Sequence, residues 1–537
     1  MKRFLFTLFL LVALAVTAVV LIKKAAPSTR LDGIGMGSST HLRVGVDGLP
    51  GALNSISEMG ANWIREEFPW NEIQQAPGQF RWSVGDGTLT HNFDSLVEQA
   101  RVNKVNILAV LDGGPVFLAH VYPGMPVDSD DLLIAWQGYV QAVVDRYGDQ
   151  ISAWEIGIRE NTAESWGRVM FPTTSDPLAA PNPEMYSRML QIAYQIIKTK
   201  NSTAQVILGG LDLNGQNCSE NPYAFLAGVE KSAGWDSFDA IGVQIIARTV
   251  WPEQASASGN EYDPSTETCD PGTQNSATVL EQIQSLVAFS RQFGDKSIWV
   301  TGLGYNVDTI QNLAHGDPYA ASLVESDLIA RTAVPLLAEP SVEKIFWYTL
   351  VDDPSNPGFG ISPFGQITLV NINAFLKGSK PIGKVIDLGL PDDVEVYAFQ
   401  RDGKTIFVVW RSVSDDASEP AALTGLQGDS VAAYSADSAE ISETTAQSLS
   451  VDPQGVLNLM VSRRPLFIVA QANDLAGRIQ SSAQDQVNQV KESVDAGAKT
   501  LWEGAKISIS NQINAWLNGV KDSILQSIQQ KLDQLFN

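Results

Sequence analysis

From residue 31 onward the chain alternates short apolar runs with longer segments whose apolar residues recur every three to four positions. The short runs are GIGMGSS (Gly33 to Ser39), WIREEF (Trp63 to Phe68), NILAVLD (Asn106 to Asp112) and AWEIGI (Ala153 to Ile158). QVILGGLD (Gln205 to Asp212), DAIGVQII (Asp239 to Ile246), SIWVTGLGY (Ser297 to Tyr305) and KIFWYTLV (Lys344 to Val351) follow. Between them lie amphipathic segments such as FDSLVEQARVNK and AWQGYVQAVVDRYG. Strands that alternate with helices build a parallel sheet. Eight such repeats over roughly 340 residues predict a closed TIM (β/α)₈ barrel across residues 31–378. The competing arrangement, an open doubly wound sheet, usually carries a G-x-G-x-x-G turn after its first strand. Gly33–Gly37 lacks that spacing.

After about Pro381 the pattern changes. VEVYAFQRDGKTIFVVWRSV reads as two strands around Asp402–Gly403, a dipeptide suited to a two-residue hairpin turn. Further short runs end in RRPLFIVA, so residues 379–471 are expected to form a small all-β, sandwich-like domain. Residues 472–537 carry no strand signal. Their apolar residues, from Leu475 and Ile479 to Leu532 and Leu535, fall at helical spacing, with Gly497, Gly504 and Gly519 as breaks. This amphipathic helical tail either packs on the protein's own domains or joins copies into a homo-oligomer.

At the other end, Lys2 and Arg3 precede an unbroken apolar run from Phe4 to Ile22, closed by Lys23 and Lys24. The run reaches the roughly 20 residues that cross a bilayer, and Val16-Thr17-Ala18 also suits signal cleavage. Residues 1–30 read as a signal anchor or a signal peptide. In either case the remainder is expected outside the cytoplasm, anchored to the membrane or secreted.

Composition narrows the partners. Apolar residues make up 44% of the 537 and charged residues 18%, which describes a globular chain. The formal net charge of −24 repels phosphate backbones and argues against nucleic acid. Cys218 and Cys269 are the only cysteines. In an exported chain they suggest one disulfide, with two free thiols as the alternative. His41, His91, His120 and His315 show no ligand spacing, so neither a metal nor a cofactor is expected.

Three segments resemble the clan-A retaining glycoside hydrolases, the group of endoglucanases, β-xylosidases and α-iduronidases. GANWIREEFPWNEIQQAPGQFRW (Gly60 to Trp82) is similar to their second strand and the loop after it, where an Arg, here Arg65, supports the catalytic carboxylate. RYGDQISAWEIGIREN (Arg146 to Asn161) resembles the approach to their fourth strand, normally W-E-I-W-N-E-P-N. SIWVTGLGYN resembles the seventh strand, normally ending in T-E-x-G, and DAIGVQ a sixth strand that commonly ends in His where Gln244 stands. The resemblance implies a barrel that acts on carbohydrate through two carboxyl groups. One is an acid/base and the other a nucleophile, about 5 Å apart.

Both expected positions are substituted. In register with the fourth-strand pattern, Arg159 occupies the acid/base position; in register with the seventh, Gly302 stands where the nucleophile belongs. A guanidinium, with a pKa above about 12, does not act as a general acid at neutral pH, and glycine has no nucleophile. Glu160 is the fallback carboxylate. Alternation along a strand points it away from the barrel axis unless a bulge re-aims it. Glu66, Glu67, Asp112, Asp212, Asp352 and Asp353 fall near strand ends and serve either as a relocated pair or as rim charges and partners of Arg65 and Arg159. Trp347 and Tyr348 at the end of the eighth strand, with Tyr305, Trp70, Trp166 and Trp251 in or beside the loops, are candidates for stacking a sugar or for packing.

The expected function is therefore an exported, membrane-tethered, glycoside hydrolase-like barrel that binds carbohydrate or serves as a scaffold without catalysis. Arg65, Gln244, Tyr305 and Trp347 are its substrate-binding candidates. The alternatives are an active hydrolase with relocated carboxylates and a cell-envelope assembly protein that works through its tail.

Overall fold

The computed structural model describes residues 30–472, apart from residues 38–39, 86–89, 116, 118–129, 167–179, 215–217, 247, 264–265, 267, 354–355, 386–389 and 439–445. The N-terminal apolar run and the C-terminal helical stripe lie outside the described residues. Among the described residues, no helix is long and apolar enough to cross a membrane.

Eight parallel strands close into a barrel. They are β1 (Ile34–Met36), β2 (Trp63–Pro69), β3 (Asn106–Asp112), β4 (Ala153–Ile158), β5 (Gln205–Asp212), β6 (Ala240–Ile246), β7 (Ser297–Gly304) and β8 (Val342–Trp347). β1 pairs with both β2 and β8, a closure that an open doubly wound sheet lacks. Local chemistry starts the surrounding helices. Asn182, Asn221, Asp317 and Ser362 each cap a helix with a side-chain oxygen, and each is followed by proline at the first helical position. Proline loses nothing there, because that N–H has no intrahelical partner.

Side chains fill the barrel in layers. Trp63, Leu108, Ile207, Trp299 and Phe346 belong to one buried cluster, in which Trp63 meets Trp299 edge-on at 5.8 Å. Side chains alternate across a strand, so the next inward residues stand one layer higher. These are Arg65 on β2, Glu155 on β4 and Thr301 on β7. The layer above them is the mouth.

β8 ends at Trp347, earlier than the apolar run to Val351 suggests. The Tyr348 N–H still donates to Leu303 on β7, but the Thr349 N–H donates to Phe359 in the following loop, so the chain has left the barrel. A second departure is the hairpin Ser256–Asp263/Thr268–Ala277 between β6 and β7. Its polar sequence, with Gly, Asn and Pro, carries no apolar alternation, which is why it escapes a pattern reading. Cys269 in this hairpin forms a disulfide with Cys218 after β5, with Cα atoms 5.5 Å apart, and free thiols are excluded. The bond ties together two loops that follow neighbouring strands.

The all-β domain consists of a six-stranded antiparallel sheet and a two-stranded one, Glu419–Leu423 with Leu457–Val461. The expected hairpin turns at Asp402–Gly403, both with positive φ, and pairs Arg401 with Lys404. The domain packs on the barrel's last helix, Pro363–Leu376. Phe375 stacks on Phe467 at 4.7 Å, and Asn371 donates to the carbonyls of Ala436 and Ser438.

Candidate functional site

The C-terminal ends of the barrel strands surround a cleft of about 660 Å³. That volume suits a small oligosaccharide or a molecule of similar size. Arg65, Glu67, Ile158, Arg159, Asp212, Gln244, Arg248, Thr301, Gly302, Tyr348, Asp353 and Phe359 are among the residues that line it. Sequence positions far apart are brought together because all follow the same end of a parallel strand.

Under the floor lies a buried ion pair. Arg65 Nε donates to Glu155 Oε2 at 2.6 Å, while Glu155 Oε1 accepts the Gly210 N–H at 2.9 Å and the Thr301 hydroxyl at 3.0 Å. The carboxylate that Arg65 supports is therefore Glu155, which is fully buried and does not line the cleft. Arg65 Nη2 has no hydrogen-bond partner.

On one wall, Arg159 has a positive φ of 57° and its N–H donates to the Gly210 carbonyl. Its guanidinium binds Asp212 Oδ2 at 2.8 Å and lies 3.5 Å from Glu164. The Asp212 carboxylate at the rim is thus the ion-pair partner of Arg159. On another wall, the pairing of β6 with β7 shifts register at Val243/Gln244, so that Gln244 stands opposite Gly302. A Cβ on Gly302 would lie 3.1 Å from Ile246 Cδ1 and 3.3 Å from Gln244 Cγ. These two side chains crowd the position from which a side chain at 302 would project and would have to give by a few tenths of an ångström.

No protein-family model matches this sequence, and no curated protein does. Among solved structures it is similar to a family 39 glycoside hydrolase from Bacteroides cellulosilyticus WH2. That pair shares 17% identity and a TM-score of 0.56, covering 82% of this chain and 81% of that one. It is also similar to a GH30 endoxylanase from Clostridium papyrosolvens C71, with 14% identity, a TM-score of 0.51 and coverage of 83% and 97%. The fold is that of the clan-A glycoside hydrolases. At such identities the likeness is one of fold.

Within this glycoside hydrolase-like barrel, the candidate residues divide between cleft and core. Glu160 does not face the cleft. Its carboxylate folds back to accept the Ile158 N–H at 2.8 Å and occupies the place that a side chain on Gly157 would need, at a position with φ of +79°. Burial, then the charges of Asp112 and Glu155, push Glu160 well above the ordinary carboxylate range. Trp347 and Tyr305 are both buried and stack on each other at 6.5 Å, and the Tyr305 hydroxyl meets Thr332. They are packing residues. The aromatics that line the cleft are Tyr348 and Phe359, edge to face at 5.2 Å. Trp70, Trp166 and Trp251 are buried as well. Gln244, Arg65, Arg159 and Gly302 line the cleft.

The remaining carboxylates divide by role. Glu67, Asp212 and Asp353 line the cleft, and Asp353 is paired with Arg43 at 2.8 Å. Asp352 instead accepts the N–H groups of Gly358, Phe359 and Gly360 and shapes their loop. Buried Glu66 accepts the Thr40 N–H. Among the described residues, no cluster of His, Cys, Asp or Glu could hold a metal.

Asp112 is raised to about 7, first by burial and then by the charge of Glu67. Its ordinary value is 3.8, so between the two the unfolded chain releases a proton that the folded chain keeps. Stability then falls as pH rises through this window. Asp112→Asn is expected to remove that fall. Thermal melts of both proteins from about pH 4 to about pH 8 should converge toward the acid end. A constant difference across the range would rule Asp112 out as the source.

Proposed function

We propose that the barrel mouth binds carbohydrate without hydrolysing it, in a protein held outside the cytoplasm by its N-terminal segment. The observation that carries this reading is the state of the two positions that a retaining mechanism needs. Arg159 is ion-paired with Asp212, and position 302 holds a glycine crowded by Gln244 and Ile246. A cleft of suitable size with an aromatic pair, Tyr348 and Phe359, offers a surface for the C–H face of a sugar. The fold shared with glycoside hydrolases supports a saccharide as ligand. The Cys218–Cys269 disulfide and the apolar run from Phe4 to Ile22 support an oxidising compartment.

The test is a panel of aryl glycosides and polysaccharides offered to the full-length protein, with product release and binding measured side by side. Binding without release is the expected result. Turnover that disappears in Glu67→Gln or Asp212→Asn would overturn it. That outcome would establish the second reading, a hydrolase with relocated carboxylates, which the presence of Glu67, Asp212 and Asp353 in the same cleft keeps specific.

A further inference from the structure

The cleft contains a cation that the retaining mechanism gives no reason to expect. Arg248 follows β6 directly, lines the cleft and is only 4% exposed. Its Nη2 donates to the Gln254 carbonyl at 2.8 Å, whereas Nε and Nη1 are shielded from water and have no hydrogen-bond partner. The other buried arginines among the described residues are Arg65, Arg331, Arg411 and Arg463. Each of them has a carboxylate within ion-pair distance. Arg248 has none. The carboxylate of Glu253, nearby in the same loop, is engaged at both oxygens by Arg331 and also accepts from Trp410.

A shielded guanidinium with unmade donors is unfavourable unless something supplies acceptors and negative charge. The protein supplies an acceptor to Nη2 alone. The chain as a whole is anionic at −24, so attraction for an anion here has to be local rather than long-range.

We infer that the saccharide taken by this cleft is anionic, carrying a carboxylate or sulfate group that seats against Arg248. This rests on the carbohydrate reading above and adds the chemical class of the sugar. Arg65 Nη2, the other unmade donor beside the cleft, adds to the demand for acceptors. Carboxylates and sulfates satisfy a guanidinium through charge-assisted hydrogen bonds, which are roughly twice as strong as neutral ones.

Calorimetric titration of the full-length protein tests it with three probes of equal length. These are an oligosaccharide of uronic acids, a sulfated oligosaccharide and neutral gluco- or xylo-oligosaccharides. At least one anionic probe is expected to bind about tenfold or more tightly than the neutral ones. Arg248→Gln should weaken the anionic probe by about 10- to 100-fold and the neutral ones by far less, while Arg248→Lys recovers part of the anionic loss. Thermal melts of both variants separate loss of binding from loss of fold. Neutral probes that bind as tightly as anionic ones, or an anionic affinity that survives in folded Arg248→Gln, would overturn the inference and leave the carbohydrate reading standing. If no saccharide binds at all, both fail. If an anionic probe is bound and hydrolysed, the absence of catalysis is wrong and the assignment of charge is right.

Discussion

Glu155→Leu is expected to lower the unfolding free energy by about 3–5 kcal/mol, the usual consequence of leaving one member of a buried ion pair without its partner. Glu155 is fully buried, and Arg65 is 4% exposed. Removing the carboxylate strands the guanidinium and also frees the Gly210 N–H and the Thr301 hydroxyl, which donate to Glu155 Oε1. The double variant Arg65→Met with Glu155→Leu removes both charges and should recover most of the loss, because the cost lies in the unpaired ion rather than in the absent attraction. Urea denaturation of the two single variants and the double variant gives the coupling directly. A single variant within about 1 kcal/mol of the parent would show that water reaches the pair. The result also bears on function. It would mark Arg65 and Glu155 as a structural floor of the cleft, with Arg65 serving a carboxylate that ligands do not reach.

Arg331→Met is expected to cost a similar amount, about 3–5 kcal/mol, and to act at a distance on the cleft. The Arg331 guanidinium is fully buried, on the long helix Pro318–Ala338. It binds both oxygens of Glu253 at 2.8 and 2.7 Å, donates to the Val413 carbonyl at 2.9 Å and lies 4.3 Å above the Trp251 ring. Glu253 in turn accepts from Trp410 at 2.8 Å. One side chain therefore ties a barrel helix, the loop after β6 and the all-β domain. That loop carries Arg248 and Thr249 of the cleft wall, and Arg248 is held by the carbonyl of Gln254, next to Glu253. Removing the guanidinium leaves Glu253 without its counter-ion and the loop without its anchor. Hydrogen exchange across residues 248–257 should quicken together with the loss of global stability. An unchanged exchange rate there, with stability lowered, would confine Arg331 to domain packing and remove its link to the cleft.

These contacts show how differently the parts of this molecule can be read. The strands are legible because a barrel strand is buried on both faces. Burial on both faces demands a continuous apolar run, and NILAVLD or QVILGGLD meets that demand locally. Glu160 lies beyond the end of β4, after positive φ at Gly157 and Arg159, and that turn folds its carboxylate back onto the Ile158 N–H. The hairpin after β6 is illegible by the same logic, since its sequence carries no apolar alternation.

Trp347 and Tyr348 are instructive together. Both are aromatic and adjacent, and only the point at which the chain leaves β8 for the loop at Phe359 decides which one faces the cleft. Arg248 has no local signature whatever. What sets it apart is the absence of a carboxylate within ion-pair distance, and that is a property of everything folded around it.

By itself, then, the sequence determined the barrel, the all-β domain and the identities of Arg159 and Gly302, because periodicity and residue type are properties of neighbouring positions. Only the tertiary structure decided that Asp212 neutralises Arg159, that Gln244 and Ile246 crowd Gly302, that Glu155 rather than a cleft carboxylate holds Arg65, and that Arg248 is left unmatched. Each of these joins residues from different strands. A strand's pattern states which side chains point inward, whereas the partner each one meets depends on the register and closure of all eight strands at once.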